Sequence, residues 1–214
     1  MENAIDLLTQ LAVLVLSVVI HEISHGYAAL ALGDPTAEEE GRLTINPLRH
    51  LDPFGSVILP ALLYFSHLPI LGWARPVPYN PYRLKNQKWG PAIVGAAGPL
   101  ANILLAVIFG VTVRFLPHAL GFASGVFLLN MATIASSIVL VNLMLACFNL
   151  VPIPPLDGSK VLFALLPYRW RDTQFFLERY GVFLLLIFIF FFAGMLAPVV
   201  FFLYRLITGS SPFF

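Results

Sequence analysis

His21-Glu22-Ile23-Ser24-His25 is the stretch whose residue types and spacing could do chemistry by themselves. On a helix, residues four apart project from one face, one turn apart. Two imidazoles so placed can share a tetrahedral zinc ion. Glu22, beside the first of them, can reach a water at the metal and act as general base, the pattern of metal-assisted hydrolysis. The bland alternative is a structural polar cluster satisfied by neighbouring helices. It loses weight because these residues sit within an apolar span, where His and Glu are costly and by default functional.

A catalytic zinc takes three protein ligands and keeps one position open. Asp157, in Asn149-Leu-Val-Pro-Ile-Pro-Pro-Leu-Asp157-Gly158, is the candidate third ligand. Pro152, Pro154 and Pro155 break the helix there, which lets Asp157 turn inward and frees backbone groups that could hold an extended substrate. Asp157 could also cap a helix over 158–166, and the two roles are compatible. Beside the histidine pair, the expectation is a ligand set of His21, His25 and Asp157 holding one zinc per chain.

These residues need elements that hold them in place, and composition says which. Of 214 residues, 59% are hydrophobic and 11% charged, against about 45–50% and about 25% in ordinary soluble domains. With a mean hydropathy of +0.87, this places the chain in a lipid bilayer. The net charge of +1 gives no reason to expect nucleic acid. A single cysteine, Cys147, excludes an intramolecular disulfide and a cysteine-cluster metal site.

Four stretches, 7–32, 93–116, 126–150 and 180–206, are long enough to span a bilayer, which takes about 20 apolar residues. A fifth, 54–73, is shorter and broken by Pro60 and Pro69. Linkers 33–53 and 74–90 carry about half of the charged residues. Residues 41–50 (GRLTINPLRH) read as a short strand ending in a turn. Residues 72–80 (GWARPVPYN) read as extended, because Pro76 and Pro78 forbid helix.

The expected fold is all-α integral membrane: a bundle of about four crossings, with a re-entrant or β-like segment between the first and second. It forms one domain over 1–214, with its core at 7–166 and an extra span at 180–206, and no room for an appended soluble domain. Segments 42–46 and 73–79 could present a strand edge to an unwound substrate.

Topology follows from charge. If 54–73 crosses, the twelve Lys and Arg divide eight to four. If it enters and returns, they divide ten to two, with only Arg114 and Arg205 opposite, and His25 and Asp157 fall near one face. Basic residues favour the cytoplasm, so the expectation is four crossings, both termini outside and an active site nearer the cytoplasmic face.

HEISH at 21–25, AAGPLAN at 96–102 and NLVPIPPLDG at 149–158 together resemble the site-2 protease family of intramembrane metalloproteases. GRLTINPLRHLDPFG and GWARPVPYN resemble its compact bacterial branch, without PDZ or CBS domains. The resemblance covers about residues 7–166. It implies zinc ligands at His21, His25 and Asp157, a catalytic base at Glu22, and a polariser of the scissile carbonyl at Asn149. For Asn102 it implies helix packing or substrate contact. It also implies transmembrane protein or peptide substrates and a bacterial plasma membrane.

His50, His67 and His118 lack a partner at ligand spacing, and His50 reads as solvated. Gly95, Ala96, Ala97, Gly98 and Ala101 read as a close-packing helix face, and residues 38–40 as a solvated acidic face. Two other functions compete. A metal-ion transporter or channel often shows two related halves, and none is visible here. A catalytically silent helix-binding member would not need all four core residues.

Overall fold

Apolar runs of this length fold as helix wherever water cannot serve the backbone, because a helix closes its own hydrogen bonds. The computed structural model describes residues 2–58, 62, 74–119 and 125–211. In it α1 is Glu2–Ala31, α2 the single turn Thr36–Glu39, α3 Gly90–Ala119 and α4 Gly125–Asn149. A short α5, Asp157–Leu165, follows the proline-rich run. The C-terminal arm is α6, Arg171–Ile187, then a π-helical turn Phe188–Phe192, a 3-10 turn Ala193–Met195 and α7, Leu196–Thr208.

Four helical stretches are long and apolar enough to cross a membrane: Leu7–Ala31, Gly90–Phe115, Leu129–Asn149 and Arg171–Thr208. The all-helical bundle expected from the sequence is what forms. The fourth stretch begins before residue 180 because Gln174, Glu178 and Arg179 are good helix formers, so helix precedes the apolar run. Leu104 is 60% exposed and Phe191 77%, whereas Asn102 and Asn142 are wholly buried. A fold built against water shows the reverse; an apolar rim around polar residues suits lipid.

The central helix is α3, packed against α1, α4, α5 and α7. It runs antiparallel to α1, so that His25 meets Val94 while His21 meets Asn102. Ala106, Val139, Leu143, Val200 and Tyr204 form the apolar core where α3, α4 and α7 meet. The C-terminal end of α4 comes back beside the start of α3, and α5 begins there.

The linker between α1 and α3 leaves and returns at one end of the bundle: the Lys85 N–H donates to the Leu32 carbonyl at 2.9 Å. This is the return favoured by the ten-to-two charge division. Most of the segment 54–73 lies outside the described residues, apart from a π-helical start at Pro53–Ile58.

The strand expected at 41–50 does not form, and no strand occurs among the described residues. Pro47, Pro76 and Pro78 have no N–H to give a ladder. The donors that remain go elsewhere, Arg42 N–H to Ala37 and His50 N–H to Pro47, while Arg75 N–H to the His50 carbonyl is a single backbone bond between the two segments. His50 is not solvated either. It is 2% exposed and its Nε2 donates to the Thr44 carbonyl at 2.8 Å. His67 lies outside the described residues.

Candidate metal centre

The orientation of His21 is set by a chain of hydrogen bonds that starts at a backbone carbonyl, and that of His25 by a carbonyl directly. Asn142 Nδ2 donates to the Ile138 carbonyl at 2.8 Å and to Ser17 Oγ at 2.9 Å. Its Oδ1 must therefore accept, and does so from Asn102 Nδ2 at 2.7 Å. Asn102 Oδ1 then accepts from His21 Nδ1 at 2.6 Å. His25 Nδ1 donates to the Val94 carbonyl, also at 2.6 Å. With the proton on Nδ1 of each ring, both Nε2 atoms turn lone pairs to the same point.

Asp157 completes that point. The two Nε2 atoms are 3.1 Å apart, and each lies 3.1 Å from Asp157 Oδ2. All three side chains are buried. Ligand atoms around a tetrahedral zinc, with bonds near 2.0 Å, stand about 3.3 Å apart. Three converging acceptors repel one another unless a cation sits among them. Two neutral imidazoles and a carboxylate are a donor set that zinc takes, so these residues fit the metal that the sequence implies.

Gly98 makes the convergence possible. A Cβ there would fall 2.5 Å from His25 Nε2 and 2.6 Å from His21 Nε2, so only glycine lets α3 approach both rings. Asp157 is the first residue of α5 rather than its cap; Leu156 holds the cap position and no side chain caps the helix. Gly158 lets this turn sit directly on the Leu150 and Val151 carbonyls. Burial opposes ionisation of Asp157, while the Lys160 ammonium, 2.9 Å from its Oδ1, favours it.

Glu22 is half-buried, and its Oε2 accepts the Val77 N–H at 2.9 Å. Pro76 and Pro78 flank Val77, and Arg42 Nη2 pins this extended segment through the Arg75 and Pro76 carbonyls at 2.9 and 3.2 Å. The Val77 N–H, expected as an edge donor for substrate, is thus already committed to Glu22. Asn149 ends α4 with its Nδ2 donating to the Leu145 carbonyl at 3.0 Å, and among the described residues no hydrogen bond ties it to the cluster.

Four contributors escape the sequence reading: Ser17, Asn142, Lys160 and the steric part of Gly98. Ser17 and Asn142 carried a signal, being polar residues inside apolar spans. Lys160 carried a weaker one, its position three residues after Asp157.

Residues 123–192 match peptidase family M50. YwhC of Bacillus subtilis, provisionally named a zinc metalloprotease, is 37% identical over 175 residues, covering 81% of this chain and 76% of YwhC. The chain belongs to peptidase family M50. Rip2 of Mycolicibacterium smegmatis, also provisionally named a zinc metalloprotease, is 34% identical over 164 residues, 74% of this M50 chain and 56% of Rip2. A Methanocaldococcus jannaschii protein named as a zinc metalloprotease is 27% identical over 170 residues, 79% of this chain and 38% of that protein. The chain thus spans only about half the length of Rip2. No solved structure gives a significant match. Membership of M50 agrees with the site-2 protease resemblance seen in the motifs.

Proposed function

We propose that this M50 chain is a zinc-dependent endopeptidase that hydrolyses peptide bonds of membrane-spanning substrates, with His21, His25 and Asp157 as ligands and Glu22 as general base. The observation that carries the reading is the convergence of three buried acceptors at 3.1 Å, where Asp157 meets the two histidines of a helix that also carries Glu22 and is apolar enough to cross a membrane. The names of the relatives point the same way.

Bound zinc would polarise a water and the scissile carbonyl. Glu22 supplies the proton traffic. Its Oε2 is fixed by the Val77 N–H, which leaves Oε1 to take a proton from the attacking water and pass it to the leaving amide nitrogen. Asn149 would release the Leu145 carbonyl and donate to the scissile carbonyl as charge develops there.

A groove of about 540 Å³ on the Asp157 side, lined by Tyr79, Pro154, Pro155, Ser159, Lys160 and Phe163 among others, suits an unwound segment. The charged linkers lie at this end of the bundle, and basic residues favour the cytoplasm, which supports an active site nearer the cytoplasmic face of a plasma membrane.

The test uses the full chain in detergent. About one zinc per chain is expected, as for a three-ligand site. Glu22→Gln should keep the zinc while cleavage of a transmembrane reporter falls at least about a hundredfold, the scale of lost acid–base catalysis. A folded wild type that carries no zinc overturns the reading. Zinc flux into sealed vesicles without cleavage would put a transporter in its place.

A further inference from the structure

We propose that Lys160 is a positioning residue of the metal centre: it holds Asp157 to the cation through one oxygen only, and the ring of Tyr79 holds Lys160. The inference rests on the metal-centre reading above. Asp157 Oδ2 is the atom 3.1 Å from both imidazole nitrogens. Its other oxygen, Oδ1, accepts from Lys160 Nζ at 2.9 Å. The two residues are three apart on α5 and so face the same side.

The lysine has little choice of path. A Cβ at Gly95 would meet Lys160 Cβ and Cδ at 2.9 Å, so the stem lies tightly against α3. Its ammonium stands 5.6 Å from the Tyr79 ring centroid, within cation–π reach. The side chain is only 29% exposed.

The consequence is coordination number. A carboxylate can give a metal one oxygen or two. If Asp157 gave both, it would occupy a position that a hydrolytic zinc keeps open. A charge-assisted hydrogen bond engages Oδ1 and so disfavours chelation. Tyr79 also sits two residues after Val77, whose N–H fixes Glu22. One extended segment, 74–80, therefore orients the base directly and a ligand through Lys160.

Cobalt(II) loaded into the full chain in detergent reads the coordination number without a substrate, because four-coordinate cobalt absorbs visible light several-fold more strongly than five-coordinate. Wild type should show the strong bands. Lys160→Met should show the weak ones, as Asp157 Oδ1 joins the metal. Lys160→Arg, which keeps a charged donor, should restore the wild-type spectrum, and Tyr79→Leu should shift it partway. A Lys160→Met protein with the wild-type spectrum overturns the proposal, and so does a change that Arg does not restore. Folded wild type that binds no cobalt would instead overturn the metal centre itself, and the inference with it.

Discussion

Asp34 and Asp157 are both buried carboxylates near the end of the bundle where α1 gives way to its linker, yet they meet opposite surroundings. Asp34 is surrounded by donors. Its Oδ1 accepts the Thr36 N–H at 3.1 Å and the Thr36 hydroxyl at 2.5 Å, and its Oδ2 accepts the Asn80 N–H at 2.5 Å. Asp157 turns one oxygen to a lysine and the other to two nitrogen lone pairs. Burial of an acid is therefore not what marks function. A carboxylate supplied with hydrogens is satisfied as it stands; one supplied with lone pairs is satisfied only by a cation. Asp34 ties the first linker to the second, and Asp157 closes a cluster of acceptors that could hold a metal ion.

The largest expected effect tests that contrast directly. Asp157→Ala should take the zinc content from about one per chain to none, since two protein ligands do not make a catalytic site, and cleavage should go with it. Asp34→Asn should keep about one zinc per chain and remain active. Metal analysis of the two purified variants decides: zinc lost from Asp34→Asn and kept by Asp157→Ala would mean that the roles have been assigned the wrong way round.

A smaller effect sharpens the metal side without touching either carboxylate. Gly98→Ala would push a methyl group to within 2.6 Å of both ligand nitrogens. Asn102→Leu would leave His21 Nδ1 without its acceptor. Supporting changes of this kind cost about 10–100-fold in metal affinity. The expectation is about a hundredfold for Gly98→Ala and about tenfold for Asn102→Leu, read by titration against a chelator. Unchanged affinity in Gly98→Ala would mean that α3 does not press on the ligands as described.

What was legible in the sequence was local. The histidine pair and Glu22 lie within five residues, and helical periodicity alone puts the imidazoles on one face. The spans were legible because bilayer thickness sets a length. Asp157 could be named because three prolines forced a turn beside it. The orienting chain was not legible, since it joins residues 40 and 125 apart, Asn102 to Asn142 and Ser17 to Asn142. The strand expected at 41–50 shows the same limit: a strand needs a partner with donors, and the facing segment holds Pro76 and Pro78, which cannot donate. Asp34 and His50 read as loop residues because nothing near them in sequence says that Asn80 or Thr44 will meet them.

Acid separates the two carboxylates by the smallest effect. Burial alone would raise the pKa of Asp34, but hydrogen bonds from Thr36 and Asn80 bring it below its ordinary value. A pKa depressed in the folded state stabilises the fold through the ionised form. That contribution is complete above the unfolded value of about 3.9 and is lost as pH falls through the folded one. An amide at this position keeps one acceptor oxygen and turns an NH₂ toward donors that a carboxylate would accept. At pH 7, Asp34→Asn should therefore cost about 2 kcal/mol, the scale for hydrogen bonds to a charged acceptor. On acidification below about pH 4 the wild type should lose stability faster than the variant, and the two melting curves should converge. Zinc release by protonated ligands would also occur in acid, but it would affect both proteins alike and cancel in the comparison. Melting temperatures that fall in parallel from pH 7 downward would show that the donors around Asp34 do not favour its charge, and the distinction between a satisfied and an unsatisfied carboxylate would then lose one of its two members.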